Sequence, residues 1–403
     1  MPSLPGFRDF YPADCALRNT VFAAWRSTAQ RYGFVEYDGP PLEELELYTK
    51  KSGEEIVGQL YHFVDKGERA VAMRSEMTPT LARMVAAQHR DYKKPIKWFS
   101  IPQVFRYERM QRGRLREHYQ FNCDLIGEAS LEADVELIAL CIDTLRAFGL
   151  NEKDFVIRLS DRQFWVDFLK SKQVPEDKWY DVFQAIDKSE RQPREKTAEL
   201  LGALAEEVLN ILEHGAASER LDVVENGLKA RGLGEYVKRD FTVVRGLAYY
   251  TGVVFEAFDR SGEFRAIAGG GRYDNLLNNL GGVDLPALGF GMGDVVLTEL
   301  LKQKGLLKPS TASIQAFVVI PDEAFRAEAA GVLQTLRDAG IAADMPLSPA
   351  KMGKQFQSAE ERGAKHAVVV DAEIKNGKVA VKTLADRKQD VVELANLVSV
   401  LKS

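Results

Sequence analysis

The chain has 403 residues, of which 45% are hydrophobic and 28% charged, and its net charge is −5. That length allows two or three domains with a sizeable core. The composition is that of a soluble globular protein, with no low-complexity tract and no apolar run near the roughly 18 residues of a membrane span. The acidic balance excludes a broadly basic nucleic-acid binder, so any such partner must be met by local patches. Cys15, Cys123 and Cys141 are scattered, with no CxxC pair. This argues against a structural zinc site and for a reducing, cytoplasmic setting. The opening Met1-Pro2-Ser3-Leu4-Pro5 is too polar and proline-rich for a secretion signal.

Taken in order, residues 14–31 form an amphipathic helix with Leu17, Val21, Phe22, Trp25 and Ala29 on one face. An extended segment at 34–37 stops at Gly39-Pro40-Pro41. Residues 76–89 read as a helix whose first turn holds Thr78 and Pro79. Strands at 97–106 and 120–127 flank a charged loop, and a long helix runs over 132–148 to Gly149. Residues 151–235, rich in Lys, Glu and Asp, are expected to be an inserted helical module. Strands return at 241–245 and 253–258, and Gly269-Gly270-Gly271-Arg272-Tyr273-Asp274 follows. Leu288-Gly289-Phe290-Gly291-Met292-Gly293 then leads into a helix through Leu301, and Pro309 marks a linker. From 314 onward strands and helices alternate as in a small, partly parallel α/β domain. Its 12 Lys and Arg balance 12 Asp and Glu.

The loop at 104–127 carries the most chemistry. Arg106, Arg109, Arg112, Arg114 and Arg116 fall within eleven residues. A guanidinium presents a planar fork that matches phosphate oxygens and stacks on purines. The strand after the loop alternates Gln120, Asn122 and Asp124 on one face. Together these suggest a polyphosphate held beside a small polar ligand.

Several separated blocks then agree on a resemblance. Phe105-Arg106-Tyr107-Glu108 and its loop resemble the second defining motif of class II aminoacyl-tRNA synthetases, and Gly39-Pro40-Pro41 resembles the first. Arg245-Gly246-Leu247-Ala248-Tyr249-Tyr250-Thr251-Gly252 resembles the signature peptide of the histidine–tRNA ligase family. Leu288 to Gly293 resembles the opening of the third motif.

The resemblance, which covers essentially the whole chain, implies an α+β fold. Its parts would be an antiparallel-sheet catalytic core (1–150 and 236–305), a helical insertion (151–235), a linker (306–313) and a C-terminal α/β anticodon-binding domain (314–403). It implies ligation of histidine to tRNA(His) through a histidyl-adenylate, with ATP as substrate and Mg2+ accompanying it. No tightly bound protein metal is implied, nor any membrane partner, and the enzyme would be a cytoplasmic homodimer. By the same resemblance Arg106 holds the α-phosphate, Glu108 reads adenine and Arg114 lies near the γ-phosphate. Arg245 acts where related enzymes use a metal ion. Glu76, Thr78 and Gln120 would grip the α-amino group, while Asp124 and Tyr249 or Tyr250 would read the imidazole nitrogens.

Two positions depart from the pattern. Val296 stands where the class has a motif-3 arginine, and Ala248 where the family usually has an aspartate. Arg272, Arg112 and Arg114 are the expected substitutes for the missing cation. Two other readings compete with the enzyme. One is a non-ligase relative serving as regulatory subunit of ATP phosphoribosyltransferase, which would lack the anticodon module. The other is a non-enzymatic RNA-binding or stress-sensing module, which would not need an intact histidine pocket.

Overall fold

The computed structural model describes residues 1–52, 54–109, 111, 113–244, 250–307 and 314–402. The chain forms two compact units, Met1–Asp9 with Arg18–Lys308, and Phe10–Leu17 with Pro309–Ser403. In chain order up to Lys308 the elements are α1 (Pro12–Arg31), β1 (Val35–Glu36), β2 (Leu42–Glu44), α2 (Leu45–Ser52), β3 (His62–Val64) and β4 (Ala70–Met73). The chain continues with α3 (Thr78–Gln88), β5 (Ile96–Ser100), β6 (Gln103–Phe105), β7 (Glu117–Ile126), α4 (Leu131–Arg146) and β8 (Phe155–Asp161). Five helices follow, α5 (Arg162–Ser171), α6 (Glu176–Lys188), α7 (Arg194–Leu201), α8 (Ala205–His214) and α9 (Glu219–Ala230). Last come β9 (Val237–Arg239), β10 (Val253–Asp259), β11 (Ala268–Arg272), α10 (Leu276–Gly281), β12 (Ala287–Gly293) and α11 (Asp294–Gln303).

The main sheet has the order β1-β5-β7-β12-β11-β10-β8-β9, with β6 paired to the start of β7. From β5 to β8 every pairing is antiparallel. Alternation along β7 sends Phe121, Cys123 and Leu125 into the core on the back face. There Trp25 of α1 stacks on Phe121 with centroids 5.4 Å apart, and Phe290 of β12 meets the same ring edge-on. One end of the front face is roofed by α3 and α10, where Leu81, Val85, Ile126, Tyr250, Val254, Tyr273 and Leu277 pack together. The rest of that face is left for the polar residues of β7.

The structure departs from the sequence reading in several places. The module expected over 151–235 opens with a strand, because β8 lies in the main sheet beside β10, with Phe155, Val156, Ile157 and Leu159 buried. Its helices begin only at Arg162. A short apolar run buried on both faces carries no period, so its charged surroundings dominated. The strand expected at 241–245 is a turn at Phe241–Thr242 instead. The Asp240 carboxylate accepts from the Thr242 N–H at 3.2 Å and its hydroxyl at 2.6 Å, while the Asp240 carbonyl accepts from the Val243 N–H. The Gly269–Arg272 segment is itself sheet, the strand β11. The small sheet β2-β4-β3 was not foreseen.

In the C-terminal unit β13 (Ala316–Val319), α12 (Arg326–Asp338), β14 (Ala343–Asp344), α13 (Met352–Glu361) and β15 (His366–Val369) alternate. The strands β16 (Lys378–Thr383) and β17 (Gln389–Glu393) and helix α14 (Leu397–Lys402) follow. The sheet order is β14-β13-β15-β16-β17. Its first three strands are parallel and the last two antiparallel, and sequence alternation had not revealed that hairpin.

Candidate active site

The site is a stripe along the front face of β7. His118, Gln120, Asn122 and Asp124 point to one side because successive side chains alternate, and at about 3.4 Å per residue they span roughly 20 Å. The floor beside them is glycine. The register places Gly289 opposite Asp124, Gly291 opposite Asn122 and Gly293 opposite Gln120. The absent side chains make the room. A Cβ on Gly289 would lie 2.1 Å from Asp124 Oδ1, and one on Gly291 would lie 2.7 Å from Gln120 Nε2. On β11, the next strand over, Gly271 faces Gly289 across the ladder. A Cβ there would meet the Tyr250 ring at 3.0 Å, so Tyr250 packs over the glycines on the same face.

One end of the stripe is dry. Asp124 is 5% exposed and its Oδ1 accepts from the Tyr273 hydroxyl. Burial pushes its carboxyl up to about 7, and the Tyr273 hydrogen bond only partly opposes the shift. Burial, and then the Asp124 charge, also keep the Tyr37 hydroxyl well above its usual range. Tyr273 was not singled out by the sequence reading. Its place two residues after three glycines was the available signal, because a bulky polar tip beside stripped backbone has room to reach into.

The other end is cationic. Arg106 donates from Nε to the carbonyl of Ser75 at 2.9 Å. Ser75 immediately precedes Glu76, and Thr78 opens α3, so the arginine is tied to the segment that carries both. Glu108 and Arg114 form an ion pair at 2.8 Å across the hairpin. The half-buried His118 sits among these cations. Burial, then the charges of Arg106, Arg8 and Arg114, lower its pKa to about 3 and keep it neutral. Arg8 braces the base, bonding Glu117 at 2.6 Å and Asp294 at 2.8 Å, and Asp294 also accepts from the Tyr119 N–H.

The structure therefore places Glu76, Thr78, Arg106, Glu108, Arg114, Gln120, Asp124 and Tyr250 in one unit, with Gln120 and Asp124 on β7, Arg106, Glu108 and Arg114 in the hairpin before it and Thr78 at the start of α3. Arg245, Ala248 and Tyr249 lie outside the described residues, as does Arg112. Arg272, one of the expected substitutes for the motif-3 cation, is turned elsewhere. It is buried, pairs with Asp134 and donates to the carbonyls of Glu128 and Ser130. Val296 is 8% exposed on α11, and a Cβ on Gly113 of the hairpin would lie 3.2 Å from it.

An antiparallel sheet whose arginine hairpin feeds a polar strand beside two glycine-rich strands defines a class II aminoacyl-tRNA synthetase. The histidyl-tRNA synthetase family model matches residues 6–294, and an anticodon binding domain model matches residues 315–403. The histidine–tRNA ligase of Opitutus terrae is 48% identical over 392 residues, covering 91% of this chain and 90% of that protein. The chloroplastic/mitochondrial histidine–tRNA ligase of Arabidopsis thaliana is 40% identical and covers 97% of this chain and 85% of its own. Among solved structures, histidyl-tRNA synthetase from Nostoc sp. PCC 7120 superposes with a TM-score of 0.82 at 25% identity, covering 100% of this chain and 98% of that one. The chain belongs to the histidyl-tRNA synthetase family. Its activity is that of an ATP-dependent aminoacyl-tRNA ligase for histidine, and the anticodon module sets it apart from the regulatory paralogues.

Proposed function

We propose that the β7 stripe holds histidine at its dry end and ATP at its cationic end, so that the carboxylate of one meets the α-phosphate of the other near Gln120. The observation that carries this is the glycine floor, over which the Asp124 carboxylate, the Tyr273 hydroxyl and the Gln120 and Asn122 amides lie in line along β7, the strand that the arginine hairpin precedes. A neutral imidazole offers one N–H and one lone pair. The Asp124 carboxylate, held by the Tyr273 hydroxyl, accepts the N–H, and a tyrosine hydroxyl of the Tyr249–Tyr250 pair donates to the other nitrogen. Glu76, Thr78 and Gln120 take the α-ammonium.

Attack by the histidine carboxylate on the α-phosphorus expels pyrophosphate, and charge builds on the phosphate oxygens. The protein's contribution is positioning and fixed positive charge. Arg106, tied to the Ser75 carbonyl, faces the α-phosphate. Arg245 is assigned the same task by family resemblance alone. Glu108 reads the adenine amino group and Arg114 lies towards the γ-phosphate. Among the described residues no cluster of three or more His, Cys, Asp or Glu could hold a metal, so Mg2+ is taken to enter on the ATP phosphates.

The C-terminal unit, with Lys351, Lys354 and Lys365, is assigned to the tRNA, whose affinity should fall with salt. A homodimer is supported by the exposed apolar Leu42, Phe63 and Val64 on the small sheet after Gly39-Pro40-Pro41. A cytoplasmic location accords with the free cysteines, and no helix among the described residues is long and apolar enough to cross a membrane. Histidine-dependent exchange of labelled pyrophosphate into ATP, followed by charging of tRNA(His), tests the reading. Histidine binding without exchange would overturn it.

A further inference from the structure

We infer that Arg265, on the loop between β10 and β11, is a nucleotide-binding residue that supplies the cation α11 lacks at Val296. The inference rests on the assignment of ATP to the arginine hairpin. Three geometrical observations converge on it.

The first is that Arg265 is attached to the hairpin itself. Its guanidinium donates to the side-chain amide oxygen of Gln111. Gln111 pairs across the hairpin with Arg114, exchanging backbone hydrogen bonds at 2.9 and 3.2 Å.

The second is that the β10–β11 loop leans on α11. Gln303 at the end of that helix donates to Glu263 of the loop at 2.9 Å. Gln303 is seven positions after Val296, hence on the same helical face. Val296 meanwhile touches the hairpin at Gly113, whose φ of +74° favours glycine and lets the chain turn tightly over the valine. An arginine at 296 would have to emerge where the hairpin now rests. The space is closed at the helix, and the loop delivers a guanidinium from the side.

The third observation is charge. Arg265 feels the charges of Arg114 and Arg191, and Glu108, paired with Arg114, is the carboxylate that acts on it. Partial burial first, then Arg114 and Arg191, hold Arg265 below its usual range, while Glu108 acts in the opposite sense. Cations gathered against their own repulsion on exposed loops call for an anion, and the γ- and β-phosphates of ATP are the anion this reaction provides. The amide of Gln111 can hold the guanidinium in place without neutralising it, which a carboxylate there would do. Arg265 is exposed, so its substitution leaves the core untouched.

The test is pyrophosphate exchange on the full-length protein with ATP and histidine varied separately. Arg265→Ala should raise the KM for ATP about tenfold, the usual effect of losing a charge-assisted hydrogen bond, and leave the KM for histidine unchanged. Arg265→Lys should recover part of the loss. If Arg265→Ala leaves the KM for ATP within twofold while Arg106→Ala abolishes exchange, the inference fails and the hairpin site stands. Equal rises in both KM values would make Arg265 a mere brace of the loop and overturn the inference. Exchange unaffected by Arg106→Ala would overturn the hairpin assignment and the inference with it.

Discussion

The two ends of the β7 stripe solve opposite problems. In the proposed reading the ligand at Asp124 is small and must be told apart from other amino acids, which suits an end that is buried, floored with glycine and built on paired strands. At Arg106 to Arg114 the ligand is large, charged and common to many enzymes, so the end is a hairpin that is exposed at Arg114 and rich in guanidinium. Specificity requires polar groups left unpaired when the wrong ligand enters, which works only in a dry place. Phosphate binding requires charge and reach, and a loop can supply both. One strand thus carries discrimination at one end and power at the other.

The largest effect that would break this comparison is at the powerful end. Arg106→Ala removes a donor already anchored to Ser75. The rate of pyrophosphate exchange should fall by about 10²–10³, as when a single charge-stabilising donor is lost from a preorganised site, with the KM for histidine little changed. A parallel loss of histidine binding would show that the two ends are not separable.

Next comes Asp124→Asn, which keeps shape and removes charge. The KM for histidine should rise roughly 10–100-fold, as expected for a lost hydrogen bond to an ionised group. The same change should stabilise the unliganded protein at alkaline pH. The folded-state carboxyl of Asp124 is raised to about 7 from 3.8, so its proton stabilises the fold below pH 4 and that contribution is lost as the pH rises through 7. Thermal melts of wild type and variant from pH 4 to 9, without ligand, should diverge in favour of the variant between pH 4 and 7, with a slope approaching about 1.4 kcal/mol per pH unit, and run parallel above about pH 8. Curves already parallel between pH 4 and 7 would mean that Asp124 ionises freely and that the dry end is wetter than its burial implies.

How far each end was legible in the sequence follows from the same contrast. The hairpin announced itself, because five arginines in eleven residues have few uses. The alternation of Gln120, Asn122 and Asp124 gave the stripe, since strand period is local. Tyr273 and Arg265 were not legible in that way. Both reach the site through contacts between segments distant in sequence, Tyr273 with Asp124 and Arg265 with Gln111, and a register such as Gly289 opposite Asp124 is fixed by tertiary structure. Arg272 misled for the complementary reason. It neighbours the glycine run, yet its side chain pairs with Asp134 of α4, a partner 138 residues away. Strand β8 was missed because its apolar run has no period, and the turn at Phe241–Thr242 because Asp240 was not recognised as its organiser.

The finest test of the comparison lies within the glycine floor, where two substitutions add the same atom 2 residues apart. Gly289→Ala would place a Cβ 2.1 Å from Asp124 Oδ1 and 2.9 Å from the Tyr273 hydroxyl. Neither group can retreat, since each holds the other and Asp124 is packed on all sides. The substitution should cost about 1–3 kcal/mol of stability, as overpacking of a fitted interior does, and raise the KM for histidine about tenfold or more. Gly291→Ala meets Gln120 Nε2 at 2.7 Å and Asn122 Oδ1 at 3.3 Å. The first is the far end of a flexible, half-buried side chain that can swing towards the open part of the bay. Here the cost should be under about 1 kcal/mol, and the KM for histidine should rise only a few-fold, through displacement of Gln120 from the α-ammonium. Melting temperature and exchange kinetics on the two variants would rank them. Equal penalties would mean that the stripe is uniformly rigid, and the division between a fixed end and an adaptable one would then have to start on the far side of Gln120, at the hairpin itself.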